Sequence, residues 1–297
     1  MNILITGSEG NIGRRLSSYL EKNHNVFCID IKQNFKPSYK TVDINSPIDL
    51  LDVFETFRPD VVFHLAAMVS RVTCEISPAT TILTNVNGTN NIIQLCKKYK
   101  SKLINFSTSE VYGNQEGILS ESSPLFPNNL YGTSKMLAEQ LVNYERSNGL
   151  IAINVRPFMF YDEEESTGSN RSAMIRWGES LLNRKKIDVH TGSERSWLHI
   201  NDGVKILERL IYVEEPVINV GSPFIYKMRD VAEIMCRYLS IDQNLYISEI
   251  ALPEKMTLIK HPDLSIQRRI APIIFEYDIE RGISLVIDNL RKRQSLR

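Results

Sequence analysis

Tyr131-Gly-Thr-Ser-Lys135 sets a phenol and an ammonium on one face of a helix, and Ser107-Thr-Ser-Glu-Val-Tyr-Gly113 lies a short way upstream. Such a pair is an acid/base device. A free tyrosine titrates near ~10, so its phenolate becomes accessible at neutral pH only beside a fixed positive charge. On an ordinary helix the same spacing is no more than surface. Its meaning depends on the elements that hold it.

The first of these is a short apolar strand, Asn2 to Thr6, running into Gly7-Ser-Glu-Gly10-Asn-Ile-Gly13 and then an amphipathic stretch with Leu16, Tyr19 and Leu20. Glycines between a strand and a helix allow a tight turn and close approach of backbone to a pyrophosphate, and the helix N-terminus offers free N–H donors to the anion. The next strand, Asn25 to Ile29, ends in Asp30, where a dinucleotide fold places the carboxylate that binds an adenosine ribose. An acid there repels a ribose phosphate and so favours NAD over NADP, with Lys32 as the one residue that tempers this.

Further along come Val42-Asp43-Ile44, a helix around Ile48 to Phe57, a buried-type strand Asp60 to Ala67, and a helix over Ala79 to Tyr99. The strand Lys102 to Ser107, a helix from Leu130 to Ser147 and the strand Ile151 to Arg156 follow. This alternation predicts an α/β fold: a Rossmann-type doubly wound parallel sheet over 1–156. Residues 157–297 read as a smaller C-terminal α/β substrate domain, with some segments returning to the first domain. After Pro157 the periodicity stops, and Tyr161 to Arg171 reads as a loop able to order on a ligand. Its acidic run Asp162 to Glu165 reads by default as a solvated lid face, the alternative being selection of a cationic or hydroxyl-rich sugar; Asn170, Arg171 and Ser172 follow it as candidate pocket lining. Shorter elements complete the half, among them strands near Ile187 to His190 and Ser196 to His199 and a last helix near Ser284 to Arg293.

The chain has 297 residues, with 35 basic side chains balancing 35 acidic ones. No global field recruits nucleic acid or an anionic membrane, so the partners expected are small molecules or proteins. No basic leader precedes the first strand and no apolar run reaches membrane-spanning length, so a soluble, cytoplasmic protein is expected. The scattered Cys28, Cys74, Cys96 and Cys236 predict reduced thiols and no metal site.

Gly7-x-x-Gly10-x-x-Gly13, Asp30, Asp43-Ile44, His64-Leu-Ala-Ala67, Asn85-Val-Asn-Gly-Thr89, Ser107 to Gly113 and Tyr131-x-x-x-Lys135, in this order, resemble the extended short-chain dehydrogenase/reductases, specifically the NAD-dependent nucleotide-sugar epimerase/dehydratase family. The resemblance continues more weakly through Arg195 to Gly203 and Asn219 to Ser222. It implies that Gly7, Gly10, Asn11, Ile12 and Gly13 hold the NAD pyrophosphate, Asp30 the ribose, Asp43 and Ile44 the adenine, and that Leu65, Ala66 and Ala67 lie along the cofactor. Tyr131 would take the proton of a sugar hydroxyl, at C4, while hydride leaves that carbon for the nicotinamide. Lys135 would support the phenolate and bind the nicotinamide ribose, and Thr108 would share the proton network.

The resulting ketose can be epimerised, dehydrated or decarboxylated before hydride returns. Epimerisation is the expectation, with dehydration or decarboxylation through Glu110 as the alternative and a one-way dehydrogenase on another alcohol as the rival. Glu110 stands where dehydratases and decarboxylases of the family place a second acid/base, whereas Ser109 stands where deoxythymidine-sugar dehydratases have Asp. Candidate substrate contacts are Met68 and Arg71 in the Ala67 to Cys74 loop, Thr108, Arg171, Arg195, and Arg268 or Arg269, the arginines for a diphosphate. His64 and His199 read as structural. A homodimer through a helix bundle is what the family implies.

Overall fold

The computed structural model describes residues 1–115, 117–168, 172–253 and 257–296. Its centre is a sheet of seven strands in the order Val217–Val220, Ala152–Pro157, Lys102–Phe106, Val61–His64, Asn2–Thr6, Asn25–Asp30, Tyr39–Thr41. Every pairing is parallel. Helices cover both faces, so central strands such as Val61–His64 are buried along their whole length, and their unbroken apolar runs follow from that. The strand order reverses between Asn2–Thr6 and Val61–His64. Ligands of such sheets sit at the carboxyl ends of the strands flanking this switch point, here Gly7 and Leu65.

Fold class therefore follows the sequence, while the two halves interlock. Val217–Val220 adds an outer strand to the large sheet, and the helix Ile200–Arg209 packs Val204, Ile206 and Leu207 with Leu16 and Leu20 of the glycine-loop helix Asn11–Leu20. In the other direction, Ile118–Leu119 joins a second sheet with Ile259–Pro262, Glu194–His199 and Ile225–Lys227, onto which Met159–Tyr161 also pairs. The C-terminal half has its own core, where helices Ala173–Leu182, Met228–Leu239 and Ile279–Ser295 enclose Trp177 and Trp197.

Local chemistry explains the departures from expectation. The helix expected over Ala79 to Tyr99 is three pieces: Pro78–Ile82, a π-helical turn Leu83–Asn87, and Gly88–Tyr99. Asn85 in the π turn sends its side chain away to bond both the N–H and the C=O of Met68, at 2.7 and 3.0 Å. Such bulges tend to mark functional sites. The loop before it contains a short helix, Arg71–Ile76, capped by Ser70 Oγ on Thr73 N at 3.2 Å. The last helix starts at Ile279, because Asp278 Oδ1 caps it by accepting from Arg281 N.

All four cysteines are free and buried. Among the described residues, no His/Cys/Asp/Glu group gathers as for a metal, and no helix is long and apolar enough to cross a membrane.

Candidate active site

A cavity of about 890 Å³ opens at the switch point, lined by Gly7, Gly10, Asn11, Ile12, Gly13, Asp30, Asp43, Ile44, Leu65, Ala66, Ala67, Met68, Ser107, Tyr131 and Lys135 among others. The glycine loop is closed around it. Gly7 adopts φ +69°, and a Cβ there would come within 2.6 Å of Ala66 N; one on Gly13 would come within 2.4 Å of the Gly7 carbonyl oxygen. Gly10 caps the following helix without any side-chain cap, leaving the first N–H groups directed to whatever fills the cavity. Asp30 is fixed by two backbone donors, Glu9 N at 2.9 Å and Lys32 N at 3.0 Å. These features fit a dinucleotide: a bare helix N-terminus for the pyrophosphate and an oriented carboxylate for the ribose. Gly13→Ala is expected to raise the dissociation constant for NAD by about tenfold, read by titration calorimetry, because the clash is with loop backbone that cannot step aside without spoiling the cradle.

Behind the loop a hydrogen-bond chain fixes one tautomer of His64. Thr89 Oγ1 donates to Asn85 O at 2.7 Å, so it accepts from His64 Nε2, and His64 Nδ1 then accepts from Thr6 Oγ1 at 2.8 Å. Thr6 Oγ1 in turn accepts from Ala66 N. Burial, and secondarily Lys135, push this imidazole down to about 3, so it is a neutral girder.

The reactive groups lie on the helix Leu130–Ser147 and the turn after Lys102–Phe106. Asn129 caps that helix through Oδ1, accepting from Gly132 N at 2.9 Å, while its Nδ2 donates to Glu110 Oε2 at 3.0 Å. Further along the same helix, Glu139 is held by a buried ion pair with Arg156 at 2.7 Å, and Arg156 also donates to Tyr112 Oη at 3.0 Å. The tyrosine helix and the Ser107 to Gly113 turn are thus locked in register. Burial pushes the Tyr131 phenol well above its ordinary value; a hydrogen bond with Thr108 opposes the rise and Glu110 adds to it. Lys135 is 1 % exposed, and burial pulls its ammonium down to about 8 against the upward pull of Glu139. It lies four residues along the same helix from Tyr131, about one turn away.

Beyond Tyr131 lies an ion cluster. Glu110 Oε1 pairs with Lys260 Nζ, and Glu110 Oε2 lies 3.9 Å from Arg71. Burial alone would raise this carboxyl, but Lys260 and Arg71 outweigh it and hold the group down at about 2. Parallel pairing sets Lys260 beside Arg195. Arg195 is buried and donates to the carbonyls of Glu194, Leu258 and Thr257 at 2.8, 2.7 and 2.5 Å.

Several sequence expectations change. Arg268 and Arg269 do not reach the cavity: both are exposed on the helix Ser265–Ile270, and Arg269 pairs with Glu215 at 2.7 Å. The helix turns Gln267 inward, where its amide bonds Gly221 N and O, and this leaves its arginine neighbours facing outward. Ser109 is buried in its turn and, like Thr108, Glu110, Arg71 and Arg195, is not among the residues that line the cavity. Arg171 lies outside the described residues. The acidic run is only in part a solvated face: Glu164 is exposed, whereas Asp162 and Glu165 are 3 % and 5 % exposed and both line the cavity. Lys260 and Arg15, which pairs with Asp162, went unrecognised because neither belongs to a local motif.

Comparison with known proteins adds the decisive observation: the sequence profile described as the NAD dependent epimerase/dehydratase family matches residues 3–221. The chain belongs to this family. Its cofactor is accordingly NAD, and it is an enzyme of the nucleotide-sugar epimerase, dehydratase and decarboxylase type. Relatives include a GDP-6-deoxy-D-talose 4-dehydrogenase of Aggregatibacter actinomycetemcomitans, 28 % identical over 89 % of this chain and 86 % of that protein. UDP-glucuronic acid decarboxylase 6 of Arabidopsis thaliana is 27 % identical over 99 % of this chain and 90 % of the relative. In fold, the family member here superposes with a TM-score of 0.91 on UDP-glucose 4-epimerase of Thermotoga maritima, at 21 % identity over 99 % of this chain and 100 % of that one.

Proposed function

We propose that the enzyme uses its bound NAD in a closed redox cycle on a nucleotide sugar, oxidising the C4 hydroxyl transiently and finishing as an epimerase. NAD supplies the hydride acceptor and donor. Tyr131 takes and returns the hydroxyl proton, Thr108 links it to the sugar, and Lys135 supplies the charge that makes the phenolate accessible. Arg195, Arg71 and Lys260 give the substrate half an excess of positive charge suited to a diphosphate.

The observation that carries the epimerase outcome is the state of Glu110. Dehydration needs an acid to protonate the departing hydroxyl, and Glu110 is held ionised by Lys260 and Arg71 while Ser109 offers no acid. Epimerisation needs no second acid: the hydride taken from C4 would go back to the opposite face of the ketone while Tyr131 returns the proton. A second reading, decarboxylation, is favoured by the same cations: Lys260 and Arg71 could receive the carboxylate of a nucleotide-linked uronate.

A panel of nucleotide sugars read by product mass tests this. Unchanged mass with altered stereochemistry is the expected result. Loss of water overturns the assignment, and loss of carbon dioxide from a uronate establishes the second reading instead. A cytoplasmic homodimer belongs to the same proposal, supported by exposed Leu83, Leu137 and Tyr144 on the helical segments the family uses for pairing; light scattering at a single-chain mass would refute the dimer.

A further inference from the structure

The acidic run after Met159–Tyr161 and the helix that follows the glycine loop form two walls of one cavity, since Arg14 and Gly13 line it on one side and Asp162, Glu165, Ser166 and Ser172 on the other. A single side chain ties these walls together. Arg15 forks onto Asp162, Nε to Oδ2 at 3.0 Å and Nη2 to Oδ1 at 2.7 Å, and Nη2 also reaches Glu163 Oε1 at 2.8 Å. Glu164 Oε1 lies 3.5 Å from the same nitrogen.

Among the described residues, the segment's other side-chain attachments lead into the C-terminal half. His199 Nδ1 accepts from Asn201 N, so its Nε2 carries the proton and donates to Glu163 Oε2 at 3.0 Å, while the ring stacks on Tyr277 with centroids 4.0 Å apart. Arg293 donates to the carbonyls of Glu165 and Glu163 at 2.7 and 3.3 Å, and Glu165 Oε1 accepts from Ser172 N at 2.9 Å. The run is therefore anchored by these bonds on its own side and joined across the cavity by Arg15.

We propose that Asp162–Glu165 is a strap over the NAD cavity whose latch to Arg15 controls cofactor exchange, with Arg15 acting as a positioning residue. The electrostatics require such a cation. The bare helix N-terminus at Gly10 gathers the two phosphates of the dinucleotide, and four successive carboxylates on the strap would repel that anion. Arg15 both neutralises the strap and holds it down. A closed redox cycle has no need to release NAD between turnovers, and a latched strap keeps the cofactor in place through it. The inference rests on the NAD dependence of the family and on the closed redox cycle proposed above, and release measured without sugar tests the latch separately from that cycle.

The test is the rate at which radiolabelled NAD leaves the holoenzyme into excess unlabelled NAD, with no sugar present. Arg15→Met and Asp162→Asn are each expected to speed release about tenfold, the scale of a lost bidentate charged pair. The double variant should be no faster than the faster single one, and added salt should speed release from the native enzyme but not from Arg15→Met. The charge-swapped variant Arg15→Asp with Asp162→Arg should recover slow release, which separates a latch from general damage to the fold. Release from Arg15→Met within twofold of native, multiplying effects in the double variant, or a swapped variant as fast as the singles would each overturn the proposal.

Discussion

Tyr131→Phe is expected to lower kcat by about a thousandfold while leaving NAD affinity nearly unchanged. The phenyl ring keeps the packing of a half-buried residue on the helix Leu130–Ser147, so the cavity wall survives. What is lost is the hydroxyl, which alone at this position can accept the sugar proton. Because the loss is confined to the proton-transfer step, kcat and kcat/KM should fall together. Steady-state kinetics with the substrate found by the mass panel, and calorimetry with NAD, check the two halves of this expectation. A variant with near-native turnover would remove Tyr131 from its role as the base.

The second large effect belongs to Lys260, whose side chain is 7 % exposed and faces a carboxylate that is 15 % exposed. Lys260→Met leaves Glu110 buried with Asn129 at 3.0 Å, Arg71 at 3.9 Å and the longer-range charge of Arg195, and breaking a buried pair from one side costs about 3 kcal/mol. Melting should fall by roughly 5–10 °C. Glu110 is held at about 2 against an ordinary 4.5, so the stability it contributes is fully present above pH 4.5, declines below it, and is gone once the pH has fallen through about 2. The gap between native and Lys260→Met should therefore be widest near neutral pH and narrower at pH 3, read by chemical denaturation at both. Adding Glu110→Gln to Lys260→Met removes the uncompensated charge and should restore much of the loss. Equal gaps at the two pH values would show that Lys260 does not hold Glu110 ionised.

What the sequence made legible was local. The glycine loop, Asp30 and the Tyr131/Lys135 pair each sit within one turn, strand end or helix face, and their residue types state the chemistry directly. Long-range placement was not legible. Lys260 comes beside Arg195 only because Ile259–Pro262 pairs parallel with Glu194–His199, and Arg15 meets Asp162 across 147 residues of chain. Arg268 and Arg269 show the converse. Their type suited a diphosphate, but a helix of one or two turns presents opposite faces within three residues, and Gln267 took the inward one. The π turn at Leu83–Asn87 escaped because apolar periodicity does not register an Asn side chain diverted to Met68.

These placements divide the labour of the site. In the proposed mechanism, residues readable from local motifs would hold NAD and move the proton of oxidation. Residues brought in from afar act differently: Lys260 holds Glu110 ionised, and Arg15 ties the Asp162 segment to the glycine-loop helix. The closed redox cycle joins the two groups, because an enzyme that returns its hydride gains from retaining its NAD.

The most direct measurement of that cycle follows a deuterium label placed at C4 of the accepted nucleotide sugar. The label is expected to leave for the cofactor and return to the same carbon of the product with inverted configuration, without net accumulation of reduced NAD. Label appearing in solvent, or one equivalent of reduced NAD per sugar oxidised, would contradict it.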